Sequence, residues 1–410
     1  MIQAVAGIGF FTFLAFALSE SRRHVKLRTV VTAIALQFAF GLILFHLPVV
    51  KDTLYLINGL VQALDQATKA GSGFVFGYLG GAELPYKEVR PGSSMVIAFQ
   101  ILPIIIVVSA LSALLFYWGV LQKVIQLLSF VLQRTLKTSG LLAFIVSSSV
   151  FLGIIEAPLL VKPYLKSLTR SQMFLLIVSG MSTIAGTVMA LYAGVLSPVM
   201  QDAAGQLFVA SLMSAPASIL FAHLIIPETT SVSEAKLEKV ESPYKSGFEA
   251  MIAGANEGLQ ACLGIAAVLI ILFASISLLN QGLALLPFEG LRVESLVGRI
   301  FYPLVWLMGI PANEVPIAGD LMGTKLVLNE FVSYLSLSQV PQSQLSAESK
   351  HIMIYALCGF ANFGSLGILV GGLGSLVPER KNEIVTLSLK GLIAGTLATM
   401  MTGAIVGIIS

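Results

Sequence analysis

The stretch FLGIIEAPLLV, residues 151–161, sets one carboxylate, Glu156, among ten uncharged residues. Much later, TKLVLNEFVSYL, residues 324–335, carries Glu330 between apolar stretches and shares its segment with Lys325. An acid inside a membrane costs about 2.5–3.5 kcal/mol at a helix centre on insertion scales, which makes each a functional-site candidate. The plainer alternative is that each carboxylate only accepts from exposed amides of its own turn. Both readings presuppose apolar surroundings, and the composition provides them. The 410 residues are 56% hydrophobic and 11% charged, with a mean hydropathy of +0.91; soluble domains are about 25% charged. Apolar runs at about 93–118, 171–196, 259–287 and 383–409 are each long enough to cross a hydrocarbon core, which takes about 20 helical residues. They lack the polar–apolar alternation of a barrel strand. The fold class is an all-α polytopic membrane protein.

The two acid-bearing segments read differently from the other runs. Residues 141–161 and 303–330 are interrupted by glycine, proline and acid, as SSSVFLGIIEAP and GIPANEVPIAGDLMG. Pro158, Pro311 and Pro316 remove backbone donors, and Gly153, Gly309, Gly319 and Gly323 favour turns. Non-helical backbone at membrane depth persists only inside protein or beside a watered cavity. Both segments are therefore expected to be re-entrant helical hairpins, one entering from each side.

Loop charge orients the spans, because Lys and Arg concentrate on the cytoplasmic side. With an outside N-terminus and eight full spans, sixteen basic residues fall in cytoplasmic loops: Arg22, Arg23, Lys26, Arg28, Lys123, Arg134, Lys137, Lys162, Lys166, Arg170, Lys236, Lys239, Lys245, Arg380, Lys381 and Lys390. Seven fall outside: Lys51, Lys69, Lys87, Arg90, Arg292, Arg299 and Lys350. Both termini are then outside. The first segment has its positive charges after the apolar run and reads as a transmembrane helix, not a secretory signal.

A repeat emerges when 118–226 is set beside 288–410. Each opens on an amphipathic stretch, WGVLQKVIQLLSFVLQRTLK or FEGLRVESLVGRIFYPL, and continues into an acid-bearing hairpin. Each then has a span broken by small and polar residues, SGMSTIAGTV at 179–188 or GFANFGSLGI at 359–368, and ends on an uninterrupted span. By the charge count the two units insert in opposite senses, the layout of secondary transporters, whose substrate sits near the midplane at the repeat interface. The expected divisions are a scaffold at 1–117, a first inverted repeat at 118–226, a cytoplasmic linker with the sixth span at 227–287, and a second inverted repeat at 288–410. Residues 51–80 carry an apolar face suited to the outer interface.

Other classes fit poorly. No basic stripe interleaved with aromatics suggests nucleic acid. The four histidines are scattered without ligand spacing, so no metal site is expected. Cys262 and Cys358 lie inside apolar spans as packing residues. Without H-E-x-x-H or G-x-S-x-G, nothing points to an enzyme or a cofactor. Single acids on hairpins do not make the repeated rings of a channel, although a passive conduit for polar solutes stays open.

At its hairpins the chain resembles the concentrative nucleoside transporter family, through G-x-x-E-A-P-L at 153–159, T-K-x-x-x-N-E-F-V at 324–332 and F-A-N-F-x-S at 360–365. The resemblance covers nearly the whole chain and the shorter, eight-span bacterial members. It implies nucleoside uptake by cation symport with an elevator-like transport domain, in a homotrimer of the bacterial inner membrane. It carries the family's nucleobase-reaching carboxylate onto Glu156 and the ribose-holding carboxylate onto Glu330. Its ribose-contacting asparagine and serine fall on Asn362 and Ser365, with Phe360 beside them; Ile154, Ile155 and Val188 complete the nucleoside-lining set. A carboxylate can accept from two hydroxyls, and charge-assisted bonds are strong. FANFGS is also the composition of a small-residue packing face between helices.

Two departures bear on specificity and coupling. Well-known members carry Gln-Thr or Met-Thr where this chain has Ile154-Ile155, so the base end is greasier and discriminates less; broad nucleoside acceptance, or a purine lean, is expected. Sodium-coupled members place an asparagine and a serine where this chain has Ser149 and Thr183. A hydroxyl is a weaker acceptor than an amide carbonyl, and proton-coupled bacterial members also have serine at the first position. The expected coupling ion is H+, with Na+ as the alternative, and the cation-coupling candidates are Glu330, Glu156, Ser149 and Thr183.

Overall fold

Away from water, a backbone can satisfy its polar groups within single helices. The computed structural model describes residues 1–46, 48–89, 93–230, 242–287 and 291–409, with backbone alone at 48–51, and all regular structure among them is helical. Arg90, Lys236, Lys239, the Lys51 side chain, most of the linker and the Phe288–Gly290 start of the second amphipathic stretch lie outside the described residues.

The first helices are α1 (Ile2–Ala17), α2 (Leu27–His46), α3 (Pro48–Phe76) and α4 (Pro103–Tyr117). The next group is α5 (Val120–Leu136), α6 (Gly140–Phe151), α7 (Glu156–Leu160), α8 (Arg170–Ser182), α9 (Gly186–Leu196) and α10 (Ala203–Ile225). After α11 (Gly247–Leu283) the same order recurs: α12 (Val293–Trp306), α13 (Val315–Val327), α14 (Glu330–Gln339), α15 (Ala347–Leu357), α16 (Phe363–Leu376) and α17 (Lys381–Ile409). Each group is thus one helix, a helix pair interrupted near an acid, a broken span and an unbroken span. α3 carries the stretch expected at the outer interface.

Six segments among the described residues are long and apolar enough to cross a membrane: Leu27–His46, Ile97–Tyr117, Arg170–Leu196, Ala203–Ile225, Gly247–Leu283 and Pro378–Ile409. Burial sorts them. The apolar window of Ala203–Ile225 is 83% buried and that of Gly247–Leu283 only 11%, so α10 forms the core while α11 turns most of its surface outward. α10 and α17 pack together, and α1, α2, α8 and α15 pack around them. α11 lies instead on α4, where Gly254 and Gly258 let the backbones close: a Cβ at Gly254 would come within 2.5 Å of the Ser109 carbonyl oxygen. This is the small-xxx-small contact of membrane helices.

Local chemistry sets the helix starts. Thr169 and Gln172 form a reciprocal capping box at α8, with Thr169 Oγ1 accepting from the Gln172 amide at 3.2 Å. Nearby, Glu20 in the loop after α1 accepts from Arg170 at 2.9 Å and Lys390 at 2.6 Å, tying α1 to α8 and α17. The Arg170 hydrogen bond, with Lys390 beside it, holds the Glu20 carboxyl at about 2, below its ordinary 4.5. A depressed carboxyl contributes stability above its unfolded value and loses it as pH falls through the folded one. Thermal melting of the purified protein is therefore expected to decline as pH drops from about 4.5 to about 2. Glu20→Gln should flatten that part of the profile; an unchanged profile would rule the network out as a contributor.

Candidate functional site

The second hairpin breaks at Leu328–Asn329. Asn329 is extended and caps α14, its Oδ1 accepting from the Val332 amide at 3.0 Å. Glu330 follows at the first helical position, where the positive end of the helix favours an acid. A second asparagine does the same work across the site: Asn362 caps α16 by accepting from the Ser365 amide at 2.8 Å. Its Nδ2 donates to Glu330 Oε2 at 2.8 Å. Two helix N-termini are thereby joined through one carboxylate, which is 4% exposed, with Asn362 and Ser365 also buried.

The other carboxylate oxygen accepts from the Tyr192 hydroxyl of α9 at 2.6 Å. Tyr192 stacks obliquely on Tyr334, with ring centroids 5.3 Å apart, and faces Phe331 at 6.2 Å. Glu330 is so fixed by a buried aromatic wall on one side and an amide on the other. A carboxylate has about four acceptor positions, so two partners leave capacity for ligand hydroxyls. Asn362 and Ser365 do not simply share a helix face, as their three-residue spacing suggests: Asn362 is the cap, and Ser365 supplies the capped amide. Phe360 sits in the α15–α16 break, its carbonyl accepting from the Asn362 amide at 2.9 Å.

The first hairpin differs. Glu156 starts the short α7, and its Oε2 accepts from the Gly153 amide at 2.7 Å, the own-turn contact of the plainer alternative. Glu156 is exposed while Glu330 is buried, and the two share no hydrogen-bond partner among the described residues. The Tyr244 phenol, in the loop before α11, is pushed up by burial and by the Glu257 and Glu156 carboxylates. Ile154 covers Gly180 of α8, and Ile155 covers Gly372 of α16.

Helix rise measures the gap between these two groups. Gly153 lies against Ala185 at the α8–α9 break, and Tyr192, on Glu330, is seven residues further along, about 10 Å at 1.5 Å per residue. Along α16, Gly372 under Ile155 lies ten residues from Asn362, about 15 Å. Buried Val188 falls between the two ends on α9. The arrangement suits an elongated ligand with one end at each hairpin.

Ser149 and Thr183 do meet. Thr183 Oγ1 donates to the Ser149 carbonyl at 2.7 Å and to the Ser179 carbonyl at 2.8 Å. Ser149 Oγ lies 3.1 Å from both the Ile145 carbonyl and Ser179 Oγ. The hydroxyl protons all have acceptors nearby, and no amide side chain takes part.

Sequence reasoning missed Tyr192 and gave Lys325 no role. The signal for both was present as polar side chains at membrane depth, in ALYAG at 190–194 and in the hairpin itself.

Comparison with known proteins completes the description. Three family models match: "Na+ dependent nucleoside transporter N-terminus" over 6–79, "Nucleoside recognition" over 98–199 and "Na+ dependent nucleoside transporter C-terminus" over 206–407. The chain is 37% identical to the putative nucleoside permease NupX of Escherichia coli, across 99% of this chain and 98% of the relative. It is 34% identical to the nucleoside permease NupC of Helicobacter pylori, across 99% and 97%. It superposes on the solved structure of CNTnw in an inward-facing substrate-bound state with a TM-score of 0.90 and 33% identity, covering 100% of this chain and 98% of the other.

Proposed function

The chain belongs to the concentrative nucleoside transporter family, and from that membership we propose a proton-coupled nucleoside uptake protein whose ligand spans the two hairpins. The coarser statement holds outright: this is a multi-pass membrane protein for cation-coupled nucleoside transport, and not an enzyme. The observation that carries the finer reading is the buried Glu330 carboxylate, held by Tyr192 and Asn362 with acceptor capacity to spare. Ribose hydroxyls donate to it in the bound state, Asn362 and Ser365 contribute beside it, and Phe360 flanks them. The base extends along Val188 towards Ile154, Ile155 and Glu156, where the greasy wall admits several nucleobases.

Eight crossings accommodate the helices: the six long segments, α1, and the broken pair α15–α16. The hairpins enter from opposite sides, α5–α10 and α12–α17 form inverted repeats, and a transport domain carrying both hairpins moves with the ligand past the scaffold in an elevator cycle. The outward apolar surface of α11 supports a homotrimer, in a bacterial inner membrane with both termini outside.

Two observations pull apart on the ion. The Ser149, Ser179 and Thr183 oxygens meet with no side-chain amide or carboxylate among them, a weak donor set for a hard cation, which is bound through several oxygens; this favours H+, with Glu156 or Glu330 as carrier. The description of the matching family model favours Na+. Uptake of labelled uridine or adenosine into proteoliposomes decides. Accumulation above equilibrium that collapses with a protonophore and ignores sodium is the expected result. Accumulation that requires sodium would replace the proton reading, and simple equilibration would leave a passive conduit.

A further inference from the structure

Among the described residues two charged side chains are buried, Glu330 and Lys325, the lysine at 1% exposure. The nucleoside reading accounts for the acid and leaves the lysine unexplained. Lys325 lies on α13, two residues before its end at Val327. Its Nζ donates to the Ala356 carbonyl at 2.9 Å and to Thr399 Oγ1 at 3.0 Å. Ala356 is the penultimate residue of α15, immediately before the break that leads to Asn362. Among the described residues Nζ forms no ion pair with a carboxylate.

A buried ammonium without a counter-charge costs several kcal/mol even after relaxation. Two features offset that cost. The carbonyl end of α15 presents the negative pole of a helix to Nζ, and Glu330 opens α14 just across the two-residue turn that ends α13. A third observation concerns place. In the first repeat α6 ends at Phe151, with Ser149 two residues earlier, and Ser149 meets the broken span through Thr183. Lys325 stands in the second repeat where Ser149 stands in the first: on the inner arm of a hairpin, two residues from its end, touching the break in the following span. One position offers hydroxyl and carbonyl oxygens; the other carries a covalently attached cation.

We propose that Lys325 is a resident cation, a positioning residue that clamps the α15–α16 break and supplies the counter-charge of Glu330, so that the second repeat binds ribose with no metal cation of its own. This rests on Glu330 being the ribose-holding carboxylate. Its action runs through two neighbours. Holding Ala356 fixes where the chain leaves α15, and so where Asn362 points; the positive charge orders the carboxylate that Asn362 and Tyr192 hold.

The test uses the full-length protein with K325M, E330Q and K325M/E330Q, read by uridine binding in detergent and by thermal melting. K325M should weaken binding about tenfold or more, as loss of a charge-assisted contact does, and lower the melting temperature. Adding E330Q should recover most of that lost melting temperature, because removing both charges leaves neither buried alone. Additive melting effects, or K325M binding uridine like wild type, would overturn the proposal. If K325M does not fold and the double variant does, charge coupling is supported; if neither folds, Lys325 is scaffold and the proposal fails. E330Q alone separates the premise: wild-type binding in E330Q removes the ribose assignment, whereas lost binding with additive melting removes only the role of Lys325.

Discussion

Glu330→Gln is expected to abolish concentrative nucleoside uptake while leaving a folded protein. The carboxylate accepts from Tyr192 at 2.6 Å and from Asn362 at 2.8 Å. A carboxamide has one accepting end, so its NH2 must face either the phenol or the Asn362 amide, and one of the two contacts becomes donor against donor. Its remaining oxygen also cannot receive two ribose hydroxyls with the strength of an anion. Hydrogen bonds to a charged group contribute about 1.5–3 kcal/mol each, so losing two of them weakens binding by roughly 100-fold or more. Initial uptake of labelled nucleoside well below KM should fall by that factor, with the protein still folded and expressed but its melting temperature lowered, because the buried Lys325 charge loses its partner. A KM within threefold of wild type would return Glu330 to a structural role.

Tyr192→Phe should raise KM by about tenfold, the value of one charge-assisted hydrogen bond, with a smaller change in maximal rate. The substitution removes only an oxygen. The ring keeps its contacts with Tyr334 and Phe331, so packing at the wall is conserved, and the change isolates the donor to Glu330 Oε1. In the variant the carboxylate loses one of its two fixed positions and reaches the ligand with more freedom. Nucleoside binding titrated beside thermal melting distinguishes this from general damage. A fall in melting temperature with unchanged affinity would make Tyr192 a packing residue.

Much of the site was legible because membrane burial is so selective. Glycine, proline and acid inside apolar runs have few physical explanations, and the interruptions at Leu152–Ile155 and Leu328–Asn329 fall inside the segments they marked. The asparagines at 329 and 362 were legible as polar residues within such segments. Their capping roles became visible only with the helix starts, since a cap is defined by the first turn that follows it. The four residues proposed to couple the cation are placed unequally by the fold: Ser149 and Thr183 touch, and Glu156 and Glu330 lie apart.

The sequence by itself determined the solvent of this chain, its helical class, the places where helices must break and the family whose motifs occupy those breaks. Each of these follows from local chemistry, since a peptide group or an acid at membrane depth needs a partner close by. Only the tertiary structure decided which partner. Glu330 met Tyr192 from 138 positions away, Lys325 met Thr399 from 74, and Glu156 stayed with its own turn. Hydropathy sets how deep a residue lies, but the way helices pack sets its neighbours, and a buried charge takes its function from those.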